Sequence, residues 1–171
     1  MWTIIDAYLE ALSKLLDIPR EDLEIQRDFR GRYPQKRVLT QHACDISAEP
    51  TKNSDWNVYT VQRTDTKRGG LSYPTPITQF YLTQLPGCCG ICVSTGAYVF
   101  ADYRKKGVNK LTNGLRQAIA KTVGYTVLLC TDKADNEPEK RTLRACGWQD
   151  IFRFTNSRTQ NVVDISVKVL R

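Results

Sequence analysis

Hydrophobic positions recur along this chain with two different periods, and each period predicts a type of element. Residues 3–17 place apolar side chains three or four positions apart, which predicts an amphipathic helix that ends before Pro19. Residues 163–169 alternate valine or isoleucine with polar side chains, which predicts a strand with one buried face. The chain therefore mixes helices and strands and belongs to the α/β class.

The residues between these two ends give the order of the other elements. β-branched and aromatic runs predict strands at 56–61, 77–85, 91–101 and 126–131, and helical spacing predicts helices at 111–123 and 138–146. A second short helix or turn is expected at 20–29, residues 36–47 are ambiguous with a preference for strand, and 156–161 is the loop between the last two strands. The strand–helix–strand unit in the middle is expected to be parallel.

Composition excludes some classes of protein. The 171 residues are 41% hydrophobic and 25% charged, and no run of about 18 apolar residues could cross a membrane. The first residues lack the basic and apolar regions of a signal peptide, and a chain of this size does not need its six cysteines as disulfides. We therefore expect a cytoplasmic protein with reduced thiols.

A formal net charge of +7 predicts either an anionic partner or a solubilising surface. Many basic residues lie in the N-terminal half, interleaved with Phe29 and Tyr33, which favours an anionic surface on the partner. They are Arg20, Arg27, Arg30, Arg32, Lys36, Arg37, Lys67 and Arg68.

Another basic segment, residues 104–110, lies between the predicted strand at 91–101 and the helix that follows. The first turn of a helix carries free N–H groups and a partial positive charge, and Gly107 lets a ligand approach the backbone closely. The segment therefore predicts a phosphate or pyrophosphate site, with an ordinary solvated turn as the alternative. It has neither the Walker A nor the Gly-x-Gly-x-x-Gly pattern.

The string Val99-x-Ala101-x-Tyr103-Arg104-x-x-Gly107-Val108 resembles the coenzyme A signature of the GNAT superfamily of acyl-CoA N-acyltransferases. Asn136, a short helix and Gly147-Trp148 resemble the segment that precedes the last two strands of that family. The resemblance implies one GNAT-like domain over 1–171, with a mixed, mostly antiparallel sheet, a parallel strand–helix–strand unit and helices on both faces. Residues 1–90 would form the acceptor side and 91–171 the coenzyme A core.

The resemblance also implies the cofactor, acetyl-CoA, and its contacts. Main-chain groups of Ala97, Tyr98 and Val99 would face the pantetheine arm and the thioester, and Asn136 would contact the arm or order the turn before the last helix. N–H groups along one further segment would hold the pyrophosphate. Its residues are Arg104, Lys105, Lys106, Gly107, Val108, Asn109 and Lys110.

The residues that move protons are less clearly marked. Many family members place a general-acid tyrosine seven residues after the asparagine, where this chain has Leu143, and a small residue where it has Asn109, which would crowd the phosphate. The candidate catalytic residues are Tyr98, Asp132 and His42, although Asp132 could be a turn or cap residue and His42 a structural histidine. Tyr103 and Tyr125 are further tyrosines near the signature, and Asp102 is a further carboxylate at a strand end.

The cysteines admit one rival interpretation. His42, Cys44, Cys89 and Cys92 have the right ligand types for a structural zinc, and the pattern partly matches that of zinc deaminases. That pattern needs a glutamate where Cys44 stands, and in a strand Cys89 and Cys92 tend to point to opposite faces. We therefore expect free thiols and no metal.

Two functions of different classes follow. The first is transfer of an acetyl group from acetyl-CoA to an amine, which could belong to a small molecule, a protein, or a nucleic acid or aminoacyl-tRNA. The second is a catalytically degenerate module of the same fold that binds a protein or nucleic-acid partner, for which Leu143 and Asn109 argue.

Overall fold

The computed structural model of the chain describes residues 2–28, 36–38, 56–62 and 75–170. Three α-helices and eight strands follow one another in these residues. The helices are α1 (Trp2–Leu16), α2 (Val108–Thr122) and α3 (Glu137–Ala145). The strands are β1 (Leu23–Asp28), β2 (Lys36–Val38), β3 (Trp56–Gln62), β4 (Thr75–Gln84), β5 (Ile91–Val99), β6 (Val127–Lys133), β7 (Gln149–Thr155) and β8 (Val162–Val169). None of the described helices has the length and hydropathy that crossing a lipid bilayer requires.

One sheet contains all eight strands, in the order β2-β1-β3-β4-β5-β6-β8-β7. All neighbours are antiparallel except β5 and β6, which are joined through α2 and run parallel. The sequence thus predicted correctly the α/β class, the mostly antiparallel sheet and the parallel strand–helix–strand unit.

The expected short helix or turn at 20–29 is wrong in its greater part. A single 3-10 turn, Arg20–Asp22, leads into β1. Leu23 and Ile25 are 4% and 1% exposed, two positions apart, and β1 pairs with β3 along its whole length. Burial of these two side chains against the core therefore selects a strand. Of the ambiguous segment 36–47, only β2 lies within the described residues.

The three helices pack on the same face of the sheet, as the residues that they contact show. Cross-strand pairing places those residues, on β3, β5 and β8, on one common face. The contacts join Tyr8 Oη to Thr60 Oγ1 at 3.0 Å, Arg116 Nη1 to Ser94 Oγ at 3.2 Å, and Lys140 Nζ to Asp164 Oδ2. The expected helices on both faces are therefore not found among the described residues, since α1, α2 and α3 lie on the same side of the sheet.

The hydrophobic core lies between these helices and that face. α2 turns Val108, Leu115 and Ile119 toward it, each 1–2% exposed, and α1 contributes Leu12, which is fully buried. This spacing is the amphipathic stripe that predicts the helix. Packing of α2 against α1, β4 and β5 fixes the position of its first turn at the end of β5.

β5 and β6 separate soon after they begin. They pair only at Ile91–Val93, and beyond Leu129 the described part of β6 pairs with β8 alone. The second half of β5 therefore has no described strand partner on its β6 side, and a wedge opens toward the carboxyl ends of the two strands. Ligands of α/β proteins bind at such divergence points.

Candidate functional site

A groove of about 590 Å³ opens at the carboxyl end of β5, between the first turns of α2 and α3. Ten of the eleven residues predicted to contact a cofactor line it, namely Ala97 to Val99, Arg104, Lys105, Gly107 to Lys110, and Asn136. Lys106 does not line it, and its ammonium lies 6.0 Å from the centre of the Tyr103 ring. The structure therefore brings together two segments that are separated by a helix and a strand in the sequence.

The backbone of the turn before α2 is shaped to expose its N–H groups. Lys105 and Gly107 have left-handed conformations, with φ of 61° and 84°. Arg104 N–H donates to Ala101 O at 3.2 Å, and the next described backbone bond from this segment is from Lys110 N–H to Gly107 O at 3.1 Å. The N–H groups between them have no backbone acceptor in the described part of the turn. Successive free N–H groups in such conformations form a concave anion-binding site.

Arg104 braces this turn against the end of β5. Its Nε donates to Val99 O at 2.8 Å, and its guanidinium lies 4.8 Å from the centre of the Tyr98 ring. Tyr98 in turn makes an edge-on contact with Phe100, with the ring centres 5.1 Å apart. The Val99 carbonyl is thus already used, which leaves other main-chain groups of this strand to meet a ligand.

A β-bulge lies in β5 at the groove. Gln79 pairs with Tyr98 and Tyr81 pairs with Thr95, so two residues of β5 oppose one of β4. Gly96 has φ of 59°, and a Cβ there would lie 2.5 Å from Cδ2 of Tyr81. The bulge reorients the main chain just before Ala97. A glycine inside a strand pattern is the sequence signal for it.

The opposite wall of the groove is the first turn of α3. The side chain of Asn136 caps the helix, since its Oδ1 accepts from Glu139 N–H at 3.4 Å. Asn109 was expected to crowd the phosphate, but its side chain does not point freely into the groove. Its Nδ2 donates to Glu139 Oε2 at 2.7 Å and ties α2 to α3. Glu139 and Thr142 were missed at the level of sequence, although they follow the cap at positions that share a helix face.

The candidate catalytic residues are placed very differently. Tyr98 is 45% exposed and lines the groove, whereas Leu143 is 1% exposed and belongs to the core. Asp132 is not among the residues that line the groove, and His42 lies outside the described residues. Tyr103 donates through Oη to Gln62 Oε1 at 3.3 Å, and burial raises its pKa. Of the two candidates within the described residues, Tyr98 lines the groove and Asp132 does not.

The other residues near the signature are accounted for by the fold. Tyr125 is buried in the core at the start of β6, and Asp102 is exposed in the 3-10 turn Ala101–Tyr103. Neither lines the groove.

Charged and polar side chains replace part of the apolar core between α3 and the sheet. Asp164 is 2% exposed and accepts from Arg153 at 2.6 and 3.0 Å while it pairs with Lys140, and its pKa is lowered mainly by the hydrogen bond from Arg153. Asp132, its cross-strand neighbour, is 9% exposed, and neither of its carboxylate oxygens has a hydrogen-bond partner among the described residues. Burial raises the pKa of Asp132 to about 6.

Arg116 is a further buried charge, at the closed end of the wedge between β5 and β6. It is 2% exposed, and its guanidinium lies 4.9 Å from the centre of the Trp148 ring. Within the described part of the chain, its Nε and Nη2 have no hydrogen-bond partner. Burial lowers its pKa. The sequence gives no signal for this residue, because an arginine on a helix ordinarily faces solvent.

Another cavity, of about 580 Å³, lies at the far end of α2. Its lining includes Gln117 and Lys121 of α2, Gly147, and Lys168 of β8. None of the predicted site residues lies in it, so the groove at the start of α2 is the candidate functional site.

The structure separates the cysteines of the rival zinc interpretation. Cys92 is fully buried in the core, whereas Cys89 is exposed in the turn before β5, so strand alternation does not apply to this pair. His42 and Cys44 lie outside the described residues. Among the residues that are described, no group of three or more His, Cys, Asp or Glu side chains is arranged to hold a metal ion.

Solved structures of acetyltransferases share this fold. An acetyltransferase of the GNAT family from Streptococcus pneumoniae is 11% identical, with a TM-score of 0.54 over 68% of this chain and 67% of that one. An N-acetyltransferase from Staphylococcus aureus is 14% identical, with a TM-score of 0.54 over 68% of both chains. The spermidine N-acetyltransferase of Vibrio cholerae, in complex with CoA and spermine, is 11% identical, with a TM-score of 0.53 over 68% of this chain and 66% of that one.

These identities are too low to show more than the architecture. No protein-family model and no curated protein matches the sequence. The chain has the GNAT fold, as the resemblance of its sequence implied.

Proposed function

We propose that the groove binds acetyl-CoA, a coenzyme A thioester, and that the chain transfers the acetyl group of this cofactor to an amine. We propose that the chain acts as one domain over residues 1–171. One observation carries the proposal. Between Arg104 and Lys110 the turn has N–H groups without a described backbone acceptor and two left-handed residues, and it lies at the open end of the wedge between β5 and β6. This concave anion-binding site fits the pyrophosphate of the cofactor. The edge of β5 that has no described strand partner fits the extended pantetheine arm.

The residues present fit this cofactor chemically. Gly107 leaves open space at the turn, because a Cβ there would have only Leu15 within 4 Å, at 3.9 and 4.0 Å. Arg104, Lys105 and Lys110 add positive charge to the lining. A bound acetyl-CoA would supply the activated thioester, and the main chain of Ala97–Val99 would face its carbonyl and polarise it.

Tyr98 is the best-placed group to give a proton to the departing thiol. It lines the groove and is 45% exposed, and the guanidinium of Arg104 lies 4.8 Å from the centre of its ring. α3 offers no such group at Leu143, which is buried in the core. We therefore assign the acid role to Tyr98 of β5.

The acceptor is the least constrained part of the proposal. Spermine occupies a structural neighbour, but a chain of net charge +7 repels a polycation. An amine carried by an anionic molecule or surface suits this chain better. Of the basic residues that suggested such a surface, Arg20 has a described side chain, and it pairs with Asp6 at 2.9 Å. The side chains of the others lie outside the described part, so this acceptor class rests on the sequence.

The decisive experiment is calorimetric titration of the chain with CoA and acetyl-CoA. We expect saturable one-to-one binding that Gly107→Asp weakens by about 30–100-fold, since the new carboxylate would lie against the phosphates and block the N–H groups. Gly114→Asp adds the same charge to the same helix, where a Cβ meets nothing within 4 Å, and should retain the affinity. Equal affinity for both variants, or no binding by the unmodified chain, would refute the cofactor site.

A catalytically degenerate binding module is the second candidate. It is favoured by Leu143 in the core and by the Asn109–Glu139 bond, which holds a carboxylate in the groove where phosphates would lie. It predicts weak or absent binding of CoA together with binding of a protein or nucleic acid. Binding of RNA or DNA that weakens steeply with salt, without acetyl transfer to any amine offered, would select this function.

A further inference from the structure

Two adjacent cysteines form the tip of the hairpin between β4 and β5. Leu85 N–H donates to Ile91 O at 3.0 Å and closes the hairpin, and Cys88 N–H donates to Leu85 O at 3.0 Å inside it. Cys89 is exposed, Cys88 is half-buried, and both thiols are free. β5 has 9 residues, so this tip lies about 30 Å from the groove at the other end of the strand.

The hairpin is held by its backbone and not by these thiols. Gly90 O accepts from Thr126 N–H at 2.8 Å, from Val127 N–H at 3.1 Å and from Thr126 Oγ1 at 3.2 Å. Gly87 and Gly90, with φ of 76° and 79°, supply the sharp turns on either side. Cys92, the third cysteine of this motif, is part of the core, whereas Cys88 and Cys89 are not. The fold therefore leaves this pair of thiols without a structural role.

Neighbouring thiols are better suited to share one ligand than to bond to each other. Adjacent Cα atoms are about 3.8 Å apart across a trans peptide, which is below the 4.4–6.8 Å span of ordinary disulfides. A soft ion instead forms a separate bond of about 2.3 Å to each sulfur and can bridge the two. We propose that Cys88 and Cys89 form a bidentate site for a soft, thiophilic metal or metalloid ion.

Phenylarsine oxide is a direct probe of such a site. Its trivalent arsenic forms two As–S bonds, the As=O bond breaks, and the oxygen leaves as water with both thiol protons. No atom changes its oxidation state, so no oxidant or reductant is needed. With the full-length chain kept reduced by a phosphine, intact-mass measurement should show one adduct, which a dithiol removes and a monothiol at the same concentration does not.

Single variants separate the chelate from ordinary thiol reactivity. Cys88→Ser and Cys89→Ser should each weaken binding by about 100-fold or more, because one thiol loses the effective concentration of the second. Cys44→Ser and Cys146→Ser should bind as the unmodified chain does. The tip carries no core packing, so circular dichroism should show Cys88→Ser and Cys89→Ser folded. An adduct that persists in either of the first two variants, that depends on Cys44, or that never forms would overturn the proposal.

Discussion

Replacement of Asp132 by asparagine should stabilise the protein, and it should do so only above a defined pH. The carboxyl group is 9% exposed, has no hydrogen-bond partner on either oxygen, and has its pKa raised by burial from 3.8 to about 6. Between these two pH values the folded chain binds a proton that the unfolded chain does not. Stability from this group is therefore present at low pH and is lost as pH rises through the window.

The magnitude follows from the difference of about two pKa units, each worth about 1.4 kcal/mol. The loss of folding stability caused by the ionised, buried carboxylate of Asp132 is thus at most about 3 kcal/mol at pH 8. Partial screening by water and the lost attraction to Lys140 reduce what Asp132→Asn can recover to about 1–2 kcal/mol. Denaturant unfolding of Asp132→Asn and of the unmodified chain should be measured at intervals from pH 4 to pH 8. The variant should show no gain in the free energy of unfolding at pH 4, a gain that rises between pH 4 and 6, and a constant gain above pH 6.

Asp164→Asn is the matched control, because the same substitution on the neighbouring strand should act with the opposite sign. The pKa of Asp164 is lowered by Arg153 and Lys140, so its contribution is present above about pH 4 and is lost below. Its loss removes the ion pair of the buried Lys140 and should cost about 3–5 kcal/mol at pH 7. A stabilisation by Asp132→Asn that is the same at every pH, or a destabilisation at pH 8, would refute the reasoning.

Three further perturbations test other parts of the molecule. Arg116→Met should raise the free energy of unfolding by about 1–3 kcal/mol, since it removes a buried cation with two unpartnered nitrogens; a large loss in denaturant titration would instead mean that the charge is compensated. Glu139→Gln should raise CoA affinity about 3–10-fold at low salt in calorimetry, with less effect in high salt, because it removes a negative charge while Asn109 keeps an acceptor; an unchanged affinity would place the phosphates elsewhere. Gly96→Ala should lower the free energy of unfolding by about 1–3 kcal/mol, since the new Cβ would meet the ring of Tyr81 and the backbone there has a positive φ. Thermal melts should show this loss for Gly96→Ala and an unchanged or higher stability for Gly114→Ala, whose Cβ meets nothing within 4 Å.

Periodic patterns and local motifs accounted for most of the fold and one side of the groove. The segment 104–110 could be found from its basic residues and glycine at a helix start, whereas Asn136, on the opposite wall, was implied only by the resemblance to the GNAT superfamily. β1 was missed since only Leu23 and Ile25 show the alternation, among charged neighbours that also suit a turn. The bond from Asn109 to Glu139 could not be predicted, because 30 residues and the packing of two helices separate its partners.

The buried charges beneath α3 bear directly on the groove. One wall of the groove is the first turn of α3, and that helix is tied to the sheet by the pair Lys140–Asp164 as well as by Leu143 in the core. An ion pair that is 2–3% exposed tolerates little displacement, because either charge alone would be left without water or a partner. In the same turn of α3, the side chain of Lys140 points inward to Asp164 and that of Glu139 points toward Asn109. The width of the groove is therefore set by electrostatic contacts on both sides of α3, and mutations in this buried layer should alter ligand affinity without touching the ligand.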